Sequence, residues 1–383
     1  MKRIDDITRL VALLCKPNLS PKCIDRVNEL AQLVCHSELK VALNKHRVWP
    51  TTHINIKKHF PNLFATDFKL HFEKKYLTNK KNSLLQLQAS FKIKHAFKQQ
   101  NLPVLDLKGN TLAQDIYQDI ALRHSNDLDL YIPLDYLEQA SNLLNTLGFK
   151  NNDFSVLSKE QKCTYINKHK DISYLNSNGL VVELHYRLFL RPTALDKIYQ
   201  QKMLTKGDLP NSNEIEFIYL CWHGAQNFYF RMKWLLDIAC YIEKHQNNIE
   251  QFAENVLLQA KKVGATNYVY LSWHLCHCVF DTTLPNSIKT KSNNIKSDLL
   301  INNALLFMKE CEDLSNPKFN FKMHTLEFMF LAKGIRQRAK LFNCLVLQPN
   351  VDDLSKLPKL PGKLKFTNII IRPFLLLWRK FFI

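Results

Sequence analysis

Asp127-Leu128-Asp129-Leu130-Tyr131-Ile132 alternates in side-chain character and is stopped by Pro133. In a β-strand, successive side chains point to opposite sides, so this pattern becomes two faces. Asp127 and Asp129 then share one face, and Leu128, Leu130 and Ile132 share the other. Neighbouring carboxylates repel and resist burial unless a cation compensates them. A fold built on this strand has to cover its apolar face and bring positive charge to its acidic one.

Most of the remaining chain reads as helix. Only 8 of 383 residues are Gly, which argues against β-barrels and Gly-rich loops. Ile7, Leu10, Val11 and Leu14 follow helical spacing, as do Ile24, Val27, Leu30, Leu33 and Val34. Pro50 and Pro61 are read as interruptions. A long helix is expected over 82–100, with Leu85, Leu87, Phe91, Ile93 and Phe97 partly periodic. Pro103–Leu107 is strand-like, Lys108-Gly109-Asn110 is a turn, and a helix follows through Leu112, Ile116 and Ile120 with Asn110 as its N-cap. After Pro133 a second helix carries Leu137, Ala140, Leu144 and Leu147 on one face, with Gly148 just past its end. Asp171–Leu175 and Leu180–Tyr186 flank Asn176-Ser177-Asn178-Gly179, a hairpin signal. From Glu214 to about Cys344 the chain is again helical.

The formal net charge is +19, which favours polyanionic partners: nucleic acid, nucleotides or an anionic membrane surface. Ten cysteines include no CxxC pair, and Asp5-Asp6 stand where a signal peptide would be apolar. Reduced thiols and a cytoplasmic location are expected. No window is apolar for the roughly 18 residues of a membrane span.

In the second hairpin strand, Val181, Glu183 and His185 point to one side and Val182 and Leu184 to the other. If that strand lies beside Asp127–Ile132, Glu183 reaches the same site. Three carboxylates on adjacent strands suit a two-metal phosphoryl-transfer centre, and Mg²⁺ takes such oxygen ligands together with substrate phosphates. The strand, Gly turn and helix N-terminus upstream offer an anion site to which Lys108 adds a charge.

Strand, small-residue turn, helix, then strand with Asp-x-Asp resembles the nucleotidyltransferase superfamily that includes DNA polymerase beta. More narrowly, Leu107-Lys108-Gly109-Asn110-Thr111-Leu112-Ala113, Arg123 with Asn126-Asp127-Leu128-Asp129-Leu130, and Glu183-Leu184-His185-Tyr186-Arg187 resemble the motifs of an uncharacterised bacterial nucleotidyltransferase family. His223-Gly224-Ala225 and Lys233-Trp234-Leu235-Leu236-Asp237-Ile238 are similar to its downstream helical motifs. The resemblance covers about residues 82–245. It implies an α+β fold, a small mixed sheet with flanking helices, plus N-terminal and C-terminal helical regions. The expected organisation is a helical region over 1–80, a catalytic domain over 81–205, a helical domain over 206–350 and a basic apolar tail over 351–383.

The resemblance also implies Mg²⁺ or Mn²⁺ and a nucleoside triphosphate donor, ATP among them. Asp127, Asp129 and Glu183 are the expected catalytic and metal-binding residues. Lys108, Gly109, Asn110 and Arg123 are expected at the phosphates, and Asp237 at base or acceptor. Lys-Gly stands where the wider superfamily has Gly-Ser, so the triphosphate half is less well defined than the metal half. The acceptor is open: a small molecule, a glycan precursor or a peptide, with RNA or protein modification of a toxin-like kind, or a non-catalytic nucleotide-binding scaffold, as alternatives. The basic charge fits RNA, although no RNA-binding motif is evident.

Three further features have plainer readings. Lys233 and Asp237 sit at i, i+4, the spacing of a local ion pair. His274, Cys276, His277 and Cys278 crowd one helical segment with no second ligand pair at zinc-finger spacing, so core packing is expected. Arg372–Ile383 mixes basic and apolar residues, as membrane-surface segments do, but is short enough to dock on the protein itself.

Overall fold

The structure is a computed structural model and describes residues 4–205, 212–289, 295–312 and 316–347. The tail 351–383, with the weak membrane contact it suggests, lies outside the described residues. In chain order come α1 Asp6–Cys15, α2 Pro21–Leu33, α3 His36–His46, α4 Trp49–His59, α5 Thr66–Gln99, β1 Leu105–Asp106, α6 Gly109–Tyr117, β2 Asp127–Tyr131 and α7 Leu137–Thr146. Then follow α8 Asn152–Ser155, α9 Lys159–Lys168, β3 Asp171–Leu175, β4 Val181–His185, α10 Ala194–Thr205, α11 Ser212–Gln226 and α12 Met232–Lys244. The last are α13 Ile249–Val263, α14 Thr266–Phe280, α15 Asn286–Lys289, α16 Ile295–Glu310, α17 Pro317–Leu326 and α18 Gly334–Phe342. The class is the expected α+β: helices around one small mixed sheet. No described helix is long and apolar enough to cross a membrane.

The described residues form two compact units. The first takes those within Met1–Ser90, Leu107–Asn126 and Asp208–Leu331, and is helical. In it α1 packs on α2, α3, α4 and α14, and α11 packs on α12, α13 and α14. Its core is aromatic, with Phe217 against the rings of Tyr241, Phe252 and Trp273. Gly224 of α11 has a packing reason: an added Cβ would lie 2.2 Å from a ring carbon of buried Tyr229. Gly224→Ala is expected to cost about 3 kcal/mol in urea unfolding, the upper range of an overpacked core. A loss under about 1 kcal/mol would show that the ring moves aside.

Two sequence expectations change here. Pro50 does not interrupt a helix; it is the second residue of α4, where a missing N–H costs nothing. The long helix starts at Thr66 rather than near Asn82. In its first half Phe68, Phe72 and Asn79 are buried while Leu70 and Leu77 are exposed, so apolar residues do not mark one face; further along, Ser83, Gln86 and Ser90 are buried. Asn79 and Gln86 bind backbone. Asn79 Nδ2 donates to the carbonyls of Ala121 at 2.8 Å and Arg123 at 3.3 Å, and Gln86 Nε2 donates to that of Ser125 at 3.2 Å. Three carbonyls of the 3-10 turn at Ile120–Leu122 and the coil after it are thereby satisfied.

The second unit takes the described residues within Phe91–Asp106, Asp127–Gly207 and Ala332–Ile383. Its sheet runs β1-β2-β4-β3. β1 is antiparallel to β2, β2 is parallel to β4, and β3–β4 is the antiparallel hairpin. Gly179 turns that hairpin with φ +77°, and the Asn176 side chain accepts from the amides of Asn178 and Leu180. Leu128, Leu130, Val182, Leu184, Ile172 and Tyr174 form the apolar face and are buried. The Tyr174 hydroxyl bonds Ser141 of α7, which places α7 over that face. Gly148 ends α7 at φ +87°, as its spacing predicts.

Candidate active site

The opposite face of this sheet is acidic, and the register explains why. Asp129 pairs with Glu183 and Tyr131 with His185 across the parallel β2–β4 ladder. Across the hairpin, Glu183 faces Ser173 and His185 faces Asp171. Directly opposed residues share a face, so Asp127, Asp129, Glu183, His185 and Asp171 all project to one side. The side chains converge around His185. Its Nε2 lies 2.8 Å from Asp129 Oδ1 and 3.3 Å from Glu183 Oε2, and its Nδ1 lies 3.6 Å from Asp171 Oδ2. Asp171 in turn accepts from Lys170 Nζ at 2.6 Å. The ring of His185 is 1% exposed, Asp129 7% and Glu183 26%, so the cluster opens to solvent on the Glu183 side.

Asp129, Glu183 and His185 are the only group of three such residues among the described residues whose ligand atoms lie within 4.8 Å of one another. Asp127 shares the face but stands outside that trio, half-buried at the start of β2. Of the expected metal ligands, the fold thus brings Asp129 and Glu183 into direct convergence and adds His185 and Asp171. Strand alternation puts His185 on the Glu183 side without showing a role for it, and the Asn-Gly turn sets the register that puts Asp171 opposite it.

Charged neighbours shift both His185 and Asp171. Burial and the Lys170 ammonium disfavour the imidazolium of His185, yet the hydrogen bonds to Asp129 and Glu183 outweigh them and leave its pKa raised above 6.5. For Asp171, burial works against ionisation, but Lys170 and His185 prevail and hold its pKa below 3.8. A raised folded-state pKa stabilises the fold at pH below the unfolded value, and this is lost as pH rises through the folded value. In EDTA, therefore, the wild-type melting temperature should fall relative to that of His185→Gln as pH rises from about 6. Parallel profiles would refute the ion cluster.

The expected phosphate and base residues belong to the first unit. Gly109 opens α6 with φ +65°, a conformation that costs an L side chain roughly 1–2 kcal/mol, so the turn needs Gly. Lys108, not Asn110, is the N-cap of α6, and it gives no side-chain capping bond. Asn110 lies inside the helix, and its Nδ2 donates to the carbonyl of Ser83 at 2.8 Å. The Lys108 ammonium stands over the ring of Tyr219 at 5.8 Å. Arg123 and Asp237 face each other. Arg123 Nε donates to Oδ1 and Oδ2 at 3.0 and 3.1 Å, and Nη2 to Oδ2 at 3.0 Å. The Tyr117 hydroxyl adds a third donor group at 2.9 Å. Asp237 thus pairs with Arg123 instead of Lys233, whose amine donates to the carbonyl of His124. On α14, Cys276 is buried with Sγ toward the carbonyl of Leu235, His274 and Cys278 are half-buried, and His277 is exposed and bonds the carbonyl of Thr282, so only Cys276 packs as core.

A family model described as an uncharacterised nucleotidyltransferase matches residues 37–281 of the 383. A search of curated proteins gave no match, and neither did a search of solved structures.

Proposed function

Because the chain belongs to the uncharacterised nucleotidyltransferase family, we propose that it transfers a nucleoside monophosphate from a nucleoside triphosphate to a hydroxyl-bearing acceptor with a divalent metal. The observation that carries this reading is the in-register pairing of Asp129 with Glu183 beside Asp127 on one sheet face. The donor set fits a hard divalent ion, since two carboxylates and an imidazole offer ligand atoms within 4.8 Å of one another. Mg²⁺ or Mn²⁺ bound there supplies charge stabilisation to the transferring phosphoryl group.

Asp127 and Asp129 are assigned to the nucleotide side of the site. Glu183, the most exposed member of the trio, is assigned to the acceptor side. The acceptor oxygen attacks the α-phosphorus, the bond to the β-phosphate oxygen breaks, and pyrophosphate leaves. Little covalent chemistry falls to the protein in such a displacement, so position and charge carry the rate. Lys108 and the backbone of Gly109–Asn110 are assigned to the phosphates. This rests on the strand–turn–helix order and on the first turn of α6 having no side-chain cap from Lys108. Arg123 and Asp237 support this half through their mutual ion pair. The acceptor classes include RNA, which the +19 charge favours.

Nucleoside triphosphate at about 100 times its Kd, with Mn²⁺ present, should stabilise the fold by roughly 2.7 kcal/mol. The shift should vanish in EDTA, and pyrophosphate should accumulate once acceptor is supplied. Stabilisation without pyrophosphate in any acceptor fraction would mark a binding scaffold, and no stabilisation would remove the nucleotide reading.

A further inference from the structure

Resting on the metal-dependent reading above, we infer that His185 is itself a metal ligand through Nε2, oriented by Asp171, so that the centre is a mixed nitrogen–oxygen site and not a purely carboxylate one. Three observations carry this. First, the 2.8 and 3.3 Å separations of Nε2 from the Asp129 and Glu183 oxygens bracket the roughly 3 Å between adjacent ligands of an octahedral ion with bonds of about 2.1 Å. All three ligand atoms lie within 4.8 Å of one another, so small side-chain shifts bring them onto one ion. Second, the ring is fully buried against both carboxylates, and its position is fixed by the β4 backbone rather than by a flexible loop. Third, Nδ1 is buried without a hydrogen-bond partner, and Asp171 Oδ2 lies 3.6 Å from it. A ring drawn toward an ion at Nε2 needs its proton on Nδ1, facing Asp171. Carboxylate, histidine and metal in that order is the usual outer-shell arrangement around a ligating imidazole. Lys170 holds Asp171 in place from the other side.

The identity of the ion follows from the donor set. An all-oxygen site suits Mg²⁺, whereas one imidazole shifts preference toward Mn²⁺ and later first-row ions. Mn²⁺ should bind more tightly than Mg²⁺ to the full chain without nucleotide.

The test is pulsed electron paramagnetic resonance of Mn²⁺ bound to the full chain, with and without ¹⁵N-histidine labelling. The inference expects a ¹⁴N modulation that is replaced by the ¹⁵N frequency on labelling. Asp171→Asn should keep the signal and weaken Mn²⁺ binding by about 10–100-fold, the usual cost of losing an outer-shell partner. Mn²⁺ bound with no histidine nitrogen coupling would overturn the inference and leave the carboxylate-only site standing. No bound Mn²⁺ at millimolar concentration would overturn both. Unchanged affinity in Asp171→Asn would remove the orienting role. Because the wild-type chain gives the primary readout, a variant that fails to fold does not decide the question.

Discussion

Replacing Asp129 by Asn is expected to lower nucleotide transfer by at least about 10³-fold, a loss of roughly 4 kcal/mol of transition-state stabilisation. Asp129 is the centre of the acidic face: it is paired with Glu183 in the ladder and held by His185 at 2.8 Å. Asn has nearly the same shape and still accepts that hydrogen bond through its oxygen. The substitution therefore removes charge while conserving packing. Its cost to the fold should stay within the roughly 1–3 kcal/mol of a weakened buried polar contact. Glu183→Gln should behave alike, with a smaller effect on folding because it is more exposed. Pyrophosphate release within tenfold of the wild type, in a variant with a native circular dichroism spectrum, would show that these carboxylates do not hold the reacting groups.

The second large effect belongs to stability. Asp237→Asn is expected to destabilise the chain by about 3–5 kcal/mol, because it removes the carboxylate charge that compensates a buried guanidinium. The Arg123 and Asp237 side chains are only 4% and 2% exposed, and the Tyr117 hydroxyl depends on the same carboxylate. Replacing both charges, as Arg123→Met with Asp237→Leu, should recover much of that loss, since an apolar pair of similar volume often matches a buried ion pair. Urea unfolding of the single and double variants gives the comparison. A loss below about 1 kcal/mol for Asp237→Asn would mean that the pair is not the clamp described. Rescue of that loss by nucleoside triphosphate alone would point instead to a direct nucleotide contact.

How much of this was legible in the chain depended on distance along it. The alternation of Asp127–Ile132 and the Asn-Gly turn before β4 are local signals. They announced both strands, their faces and the convergence of Asp129 with Glu183. The role of His185 was less visible because a histidine one step from a carboxylate is compatible with many packings. Only the parallel pairing of β2 with β4 brings its ring between two carboxylates. The Arg123–Asp237 pair spans 114 residues, while the local Lys233–Asp237 spacing suggested a different partner. No local period encodes such a contact. The start of α5 was missed for another reason. Between Thr66 and Asn82 the buried positions Phe68, Phe72 and Asn79 mix apolar with polar, while Leu70 and Leu77 are exposed, so no apolar period marks one face. Asn110 likewise resembled a cap because Asn favours caps, whereas its amide is engaged by the carbonyl of Ser83.

The carboxylate face rests on sheet register. The most direct test follows the α-phosphate. The full chain is incubated with Mn²⁺, an acceptor-containing cell extract, and nucleoside triphosphate labelled at either the α- or the γ-phosphorus. The account predicts that α-label enters an acid- or gel-resolved product, that γ-label appears only in pyrophosphate, and that Asp129→Asn abolishes both. Transfer of γ-label to a product, or no transfer of either label with every nucleoside triphosphate, would contradict nucleotidyl transfer.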